Sequence, residues 1–248
     1  MLKVRIIPIL TFNGFGLVKT KQFQNPRMVG NPVQAARVYN NRGVDELIFL
    51  DITASEQNRK INLKLVSDVI KECYMPVGIG GGITTIDDIN NLLKIGADKV
   101  IIKTKALTDK KFIKECVSFF GSQCISISVD AIKKENEYFI QNKLGLQIKL
   151  SDFVNDMIEC NVGELVVTSI DNDGMMNGFD HHLINEVATK TNIPIIAVGG
   201  GGKTTHYREL FENTTTEAVG SASIFHFTQY TPLDIKNELK NIDISVRL

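Results

Sequence analysis

The chain has 248 residues, 43% of them hydrophobic, which is enough apolar mass for a sizeable core at a length normal for an α/β barrel. Lys+Arg and Asp+Glu are both 28, so no net basic field recruits nucleic acid or an anionic membrane, and any anion must be bound locally. The four cysteines, Cys73, Cys116, Cys124 and Cys160, lack CxxC or Cys/His spacing and read as reduced core thiols, three in helices and one in a strand, rather than a metal site or disulfide set.

No signal-peptide pattern opens the sequence and no apolar run reaches the roughly 18 residues of a membrane span, so a cytoplasmic protein is expected. In chain order, residues 4–10 form an apolar strand pattern, and NGFG (13–16) reads as the turn after it. The segment that follows, carrying Lys19, reads as a long loop. Further strands are expected over 46–51, 75–80, 99–103, 124–130, 164–169, 193–198 and 218–221. Between them NPVQAARVYNNRGV, INLKLVSDVIKECY, TIDDINNLLKIGA and HLINEVATKT repeat apolar residues at three- and four-residue spacing, as amphipathic helices do. The strand runs are nearly continuous in apolar character, which is the look of strands buried on both faces. Eight strand–helix units therefore predict one domain over residues 1–248, a (β/α)8 TIM barrel, with an open doubly wound sheet as the alternative. KKENEYFIQNKLG (133–145) reads as a surface hairpin after the fifth strand.

The two halves echo each other. VGIGGGITT (77–85) returns as AVGGGGKTT (197–205), and ELIFLDITAS (46–55) as ELVVTSIDND (164–173). ISISVD (125–130) stands where the first half has RIIPILT (5–11), so a doubled half-barrel is expected.

Active sites of such barrels lie at the C-terminal strand ends. There the sequence places Thr11, Asp51, Gly80, Gly81, Gly82, Lys103, Thr104, Asp130, Asp173, Gly199, Gly200, Ala222 and Ser223. Each glycine cluster precedes a helix start, TTIDD or KTTHY, whose amides and positive dipole end favour an anion. Two such clusters in a doubled barrel point to two phosphates on opposite sides of the mouth, hence an elongated bisphosphate ligand; tight turns are the simpler explanation of each cluster. SASIF (221–225) would complete the second site. Asp130 is the best general acid/base candidate, with a helix N-cap before AIKK as the alternative. Lys19 is either a cover for a bound phosphate or a solvated charge. His226, among aromatics in IFHFTQY, reads as a packed histidine. At the opposite strand ends, Arg5, Glu46, Lys99 and Glu164 each stand immediately before an apolar run, and spacing alone favours a salt-bridged plug. No metal-ligand spacing emerges, and no cofactor is expected.

VRIIPIL, GLVKT, DELIFLDITAS, GIGGGITT, GADKV, FGSQCISISVDA, GELVVTSIDNDG, GFD, IPIIAVGGGG and SASIFHF resemble the cyclase subunit of imidazole glycerol phosphate synthase over essentially the whole chain. The resemblance implies a (β/α)8 barrel of histidine biosynthesis. It also implies a heterodimer in which a class I glutaminase docks on the bottom face and supplies ammonia. A bisphosphate ribonucleotide bound at the top would yield imidazole glycerol phosphate and an aminoimidazole carboxamide ribonucleotide. By position, Asp130 matches the family's second catalytic aspartate and Lys19 its mobile-loop lysine. Gly80, Gly81, Gly82, Thr104, Asp173, Gly174, Gly199, Gly200, Ala222 and Ser223 match ligand-contacting positions. Arg5, Glu46, Lys99 and Glu164 match the charged gate at the ammonia entrance, which replaces the plug reading, and Asp98 and Gln123 resemble partner-facing positions. The chain departs from the pattern at the top face. Thr11 stands in place of the first catalytic aspartate, Lys103 in place of an asparagine, and Met175 in place of a threonine. A hydroxyl does not titrate near neutral pH, so Thr11 cannot shuttle protons as a carboxylate does. The alternative reading is a paralogue that activates a glutaminase and passes ammonia to a separate amidotransferase in surface-glycan biosynthesis.

Overall fold

A computed structural model describes residues 3–141 and 147–247. In chain order it runs β1 (Arg5–Phe12), β2 (Leu17–Lys21), β3 (Gln24–Gly30), α1 (Pro32–Asn41), β4 (Leu47–Asp51), α2 (Leu63–Ile70), β5 (Val77–Gly80), α3 (Ile86–Lys94), β6 (Lys99–Ile102), α4 (Thr104–Thr108) and α5 (Lys110–Phe120). The second half is β7 (Ile125–Lys134), β8 (Glu137–Gln141), β9 (Gln147–Lys149), α6 (Leu150–Glu159), β10 (Glu164–Ser169), α7 (His181–Ala188), β11 (Ile195–Val198), α8 (Thr204–Asn213), β12 (Ala218–Ser221), α9 (Ser223–Phe227) and α10 (Pro232–Lys240).

Eight of these strands are parallel and form a cycle. The ladder runs from β12 through β1, β4, β5 and β6 to β7, and β7 pairs with β10, which leads back through β11 to β12. That last pairing closes the barrel and removes the open-sheet alternative.

The doubled half is visible in the insertions. An antiparallel hairpin follows the first strand of each half: β2–β3 after β1, and β8 folding back on an extended β7. The sequence expectation named only the second hairpin, which turns at Glu135–Asn136; residues 142–145 of the expected stretch lie outside the described residues. It read the first as a loop because Pro26 and the polar run QFQNPR lack strand alternation. The cysteines also sit slightly differently from expectation. Cys116 is in α5, Cys160 caps α6, Cys73 follows α2, and Cys124 precedes β7 in a single 3-10 turn; all four are free thiols. Burial pushes the Cys116 thiol up to about 12 and Cys73 up to about 11.

Side chains alternate across each strand. Ile6, Leu10 and Phe12 of β1 join the large core between barrel and helices, while Ile7 and Ile9 join Ile48, Ile101, Val166, Ile196 and Ala218 in a second core that fills the lumen. Arg5 and Thr11 share the parity of Ile7 and Ile9, and therefore share the inner face at opposite ends of β1. Six residues at ~3.3 Å each separate them by about 20 Å of strand. The same parity puts Lys99 and Lys103 at the two ends of β6.

Helix ends are locally encoded. Thr85 closes a capping box on α3, accepting from Asp88 N while Asp88 accepts from Thr85 N. Thr85→Ala is expected to cost about 1 kcal/mol in urea denaturation. No helix among the described residues is long and apolar enough to cross a membrane.

Candidate functional site

At the bottom face four charges close on one another. Arg5 donates to Glu46 at 2.7 Å and to Glu164 at 2.6 Å. Lys99 pairs with the same two carboxylates, 2.5 Å from Glu46 and in direct contact with Glu164. Each anion thus bridges both cations. Gly78, opposite Lys99 in register, leaves room for this: a Cβ there would lie 3.3 Å from the Lys99 stem and 2.9 Å from Ile101. Burial pushes the Glu164 carboxyl up, but Lys99 and Arg5 outweigh it and hold the group below its ordinary 4.5. Asp98 lies on the same face, where it accepts from Val77 N at 2.8 Å.

At the top face the barrel opens into a cavity of about 250 Å³. It is lined by Thr11, Lys19, Gly80, Gly81, Gly82, Lys103, Thr104, Asp130, Asp173, Gly174, Gly199, Gly200, Ala222 and Ser223, together with Asp51, Phe23 and Ser128. Residues from both halves of the chain therefore meet in one mouth.

Two placements differ from expectation. Asp130 does not end its strand: β7 continues to Lys134, and AIKK is strand, so Asp130 caps no helix. It is buried, with Oδ1 accepting from Ser128 Oγ at 2.8 Å and Oδ2 lying 2.5 Å from Lys103 Nζ. Lys19 is neither a loop residue nor a solvated charge. It is buried on β2, and its ammonium donates to both oxygens of Asp173 at 2.7 and 2.9 Å and to Thr20 O at 3.0 Å. Burial raises the Asp173 carboxyl, with Lys19 opposing. Thr11 Oγ1 donates to the Val18 carbonyl across the β1–β2 turn. Asp51, fully enclosed, receives a bidentate Arg59 at 2.5 and 2.8 Å. Each of these three mouth aspartates is thus matched to a cation.

The helix starts around the mouth differ in their caps. The α3 start after Gly80, Gly81 and Gly82 is closed by its capping box, with Asp87 and Asp88 in the first turn. The short helices α4 and α9 are open instead. They start at Lys103 and Ala222, whose backbones match (φ −120, ψ −76 against φ −131, ψ −57), and neither start has a side-chain cap. Their first residues, Thr104 and Ser223, line the mouth, and Ser223 Oγ is buried without a protein partner. α8 likewise lacks a side-chain cap and acids in its first turn. The glycines are sterically required as well. At Gly81 (φ +125) a Cβ would sit 2.5 Å from Asp51 O, and at Gly200 (φ +110) it would sit 1.9 Å from Gly178 O.

Ser128 and Phe23 escaped the sequence reading. The polar stripe Ser126, Ser128, Asp130 at period two was the available signal for the first. Phe23 lies in an unrecognised hairpin and had none. His226 is partly buried beside Phe227, and burial and then Lys19 lower its imidazole value, as suits a packed neutral ring. Among the described residues no group of His, Cys, Asp and Glu could hold a metal ion.

Residues 5–231 match the family model described as "Histidine biosynthesis protein". Among curated relatives, the imidazole glycerol phosphate synthase subunit HisF of Streptococcus mutans is 41% identical over 251 residues, covering 100% of both chains. The Staphylococcus carnosus HisF subunit is 42% identical over 252 residues, covering 100% of this chain and 99% of its own. That of Bacillus cereus is 39% identical, with full coverage of both.

Proposed function

The chain belongs to the histidine biosynthesis protein family, and from that premise we propose that it is the cyclase-type subunit of an imidazole glycerol phosphate synthase. Ammonia from a class I glutaminase docked on the bottom face enters through the ring of Arg5, Glu46, Lys99 and Glu164. At the mouth it meets a bisphosphate ribonucleotide held by amides of the two glycine turns and of the α4 and α9 starts. The products are imidazole glycerol phosphate and an aminoimidazole carboxamide ribonucleotide, formed in the cytoplasm without a cofactor.

The observation that carries this reading is one barrel with a charged ring at one end and, at the other, a mouth of about 250 Å³ lined by glycine turns, lysines and aspartates from both halves of the chain. Between them lie Ile7, Ile9, Ile48, Ile101, Val166 and Ile196. These side chains fill the lumen, so ammonia crosses only as they part, and an apolar layer of that kind favours neutral ammonia over ammonium, whose desolvation is prohibitive. At the mouth Asp130 is the group that moves protons, and Lys19 fixes Asp173 against the ligand.

A second reading is favoured by the top-face substitutions. Thr11 supplies no carboxylate and Lys103 occupies Asp130 Oδ2. Both suit a paralogue that activates the glutaminase and hands ammonia to a separate surface-glycan amidotransferase.

The test mixes this protein with the glutaminase encoded beside it and follows complex mass, glutamine hydrolysis and nucleotide product. A 1:1 complex that forms imidazole glycerol phosphate from glutamine is expected. Glutamine hydrolysis stimulated in a 1:1 complex with no nucleotide product selects the second reading. Failure to associate with any class I glutaminase overturns both.

A further inference from the structure

We propose that Lys103 is a ligand-released clamp on Asp130. Its ammonium occupies Asp130 Oδ2 in the structure, and an anion seated against the 80–82 turn takes the ammonium over, leaving Asp130 held by Ser128 alone. This rests on the reading that the mouth binds a phosphorylated ligand and that Asp130 moves protons.

The register supplies the geometry. Gly80 pairs with Ile101 and Ile102 with Ile127, so Lys103 sits at the end of β6 with the glycine turn on one side and the Ser128–Asp130 stretch on the other. Neighbouring strands are about 4.8 Å apart, within the span of a four-carbon stem. Lys103 is the more exposed and longer-stemmed member of the pair: its side chain is 28% exposed against 8% for Asp130.

Lys103 is also the most weakly held of the three mouth cations. Lys19 contacts both oxygens of Asp173 and a carbonyl, and Arg59 binds Asp51 bidentately and Thr53 as well. Lys103 has one carboxylate oxygen and the face of Phe23 at 5.4 Å. That ring, at the tip of the β2–β3 hairpin, offers a cation a second resting place on the mouth side. The other half of the barrel shows what the clamp answers. There the equivalent positions are Ala222 and Thr11, with neither cation nor acid, so no clamp is required. While Lys103 holds Oδ2, that oxygen is closed to a substrate group until the ammonium is released. Anion binding supplies that release only when the site is filled.

The test is calorimetric titration of the full chain with inorganic phosphate, in a double-mutant cycle. Wild type must break the Lys103–Asp130 pair to bind phosphate beside Lys103, and Asp130→Asn need not. Asp130→Asn is therefore expected to tighten phosphate about tenfold in the Lys103 background and less than about twofold in the Lys103→Met background. Lys103→Met alone weakens it. Equal tightening in both backgrounds, which is plain charge repulsion, or no tightening at all, overturns the clamp. A phosphate-soaked crystal gives a second reading without variants: phosphate beside Gly81 with Lys103 Nζ still on Asp130 overturns it too. Phosphate binding to none of the four proteins overturns the anion-site reading itself, and the clamp with it.

Discussion

The double variant Thr11→Asp, Lys103→Asn is expected to raise ammonia-dependent formation of imidazole glycerol phosphate by about two orders of magnitude, and Asp130→Asn to abolish whatever turnover the wild type has. A positioned acid/base contributes roughly 10²–10⁴ in rate, and wild type has one such group where a pair would serve both sides of the ligand. Both changes are needed together. An aspartate at position 11 restores a second carboxylate on the inner face of β1, and asparagine at 103 frees the first. Thr11→Asp alone is expected to gain less, because Asp130 stays paired with Lys103. It also gives up the hydroxyl bond to the Val18 carbonyl, at about 1 kcal/mol, which loosens the hairpin over the mouth. The assay is steady-state turnover with ammonium salts at alkaline pH, comparing the four proteins of the cycle. A wild type that already matches the double variant would show that position 11 needs no acid, and the second reading would lose its main support.

Glu164→Gln is expected to destabilise the barrel by about 3–5 kcal/mol in denaturant unfolding near neutral pH. The residue is buried and bridges Arg5 and Lys99, so its loss leaves two cations over Glu46 alone. Pairing Glu164→Leu with Lys99→Met, which removes one charge of each sign, is expected to recover most of that loss. The acid dependence follows from the lowered carboxyl. A group whose folded value lies below its unfolded one adds stability above the unfolded value and loses it as pH falls through the folded one. Wild type should therefore lose ring stability below about pH 4.5, the ordinary value of the group, and Glu164→Gln should lack that part of the slope. An unchanged slope would mean that the carboxyl is not depressed by the ring.

Much of the architecture was legible because it is local. The eight apolar runs and the helix periodicities follow from burial on both strand faces, and each of the eight barrel strands lies in an expected run or extends it. Pro76 and Pro194, at equivalent places in the two halves, explain why β5 and β11 begin later than their apolar runs. Neither proline has an N–H, and each offers only its carbonyl, to Leu47 N and Leu165 N. The β2–β3 hairpin was not legible. β3 carries a polar, proline-containing sequence and is largely exposed, and β2, though buried, is a five-residue strand with two lysines that shows no alternation.

The mouth shows the same division. Strand-end side chains are readable along the chain: the glycine turns, Thr11 in place of an acid, Asp130, and four charges at the opposite rim. So is the period-two parity of each strand, by which Arg5 and Thr11 share a face. Which charges meet was decided only by the closed sheet. Lys19 and Asp173 lie far apart in the chain, as do Arg5 and Glu164, and nothing in local pattern couples them. Closure of the barrel brings Arg5 on β1 across to Glu164 on β10, and the turn from β1 into β2 lays Lys19 beside the loop after β10, where Gln22 N also meets Asp173 O. Lys103 is the sharpest case. Spacing marked it as a strand-end lysine, but its neutralisation of Asp130 depends on a lateral distance between strands, which no linear sequence pattern encodes.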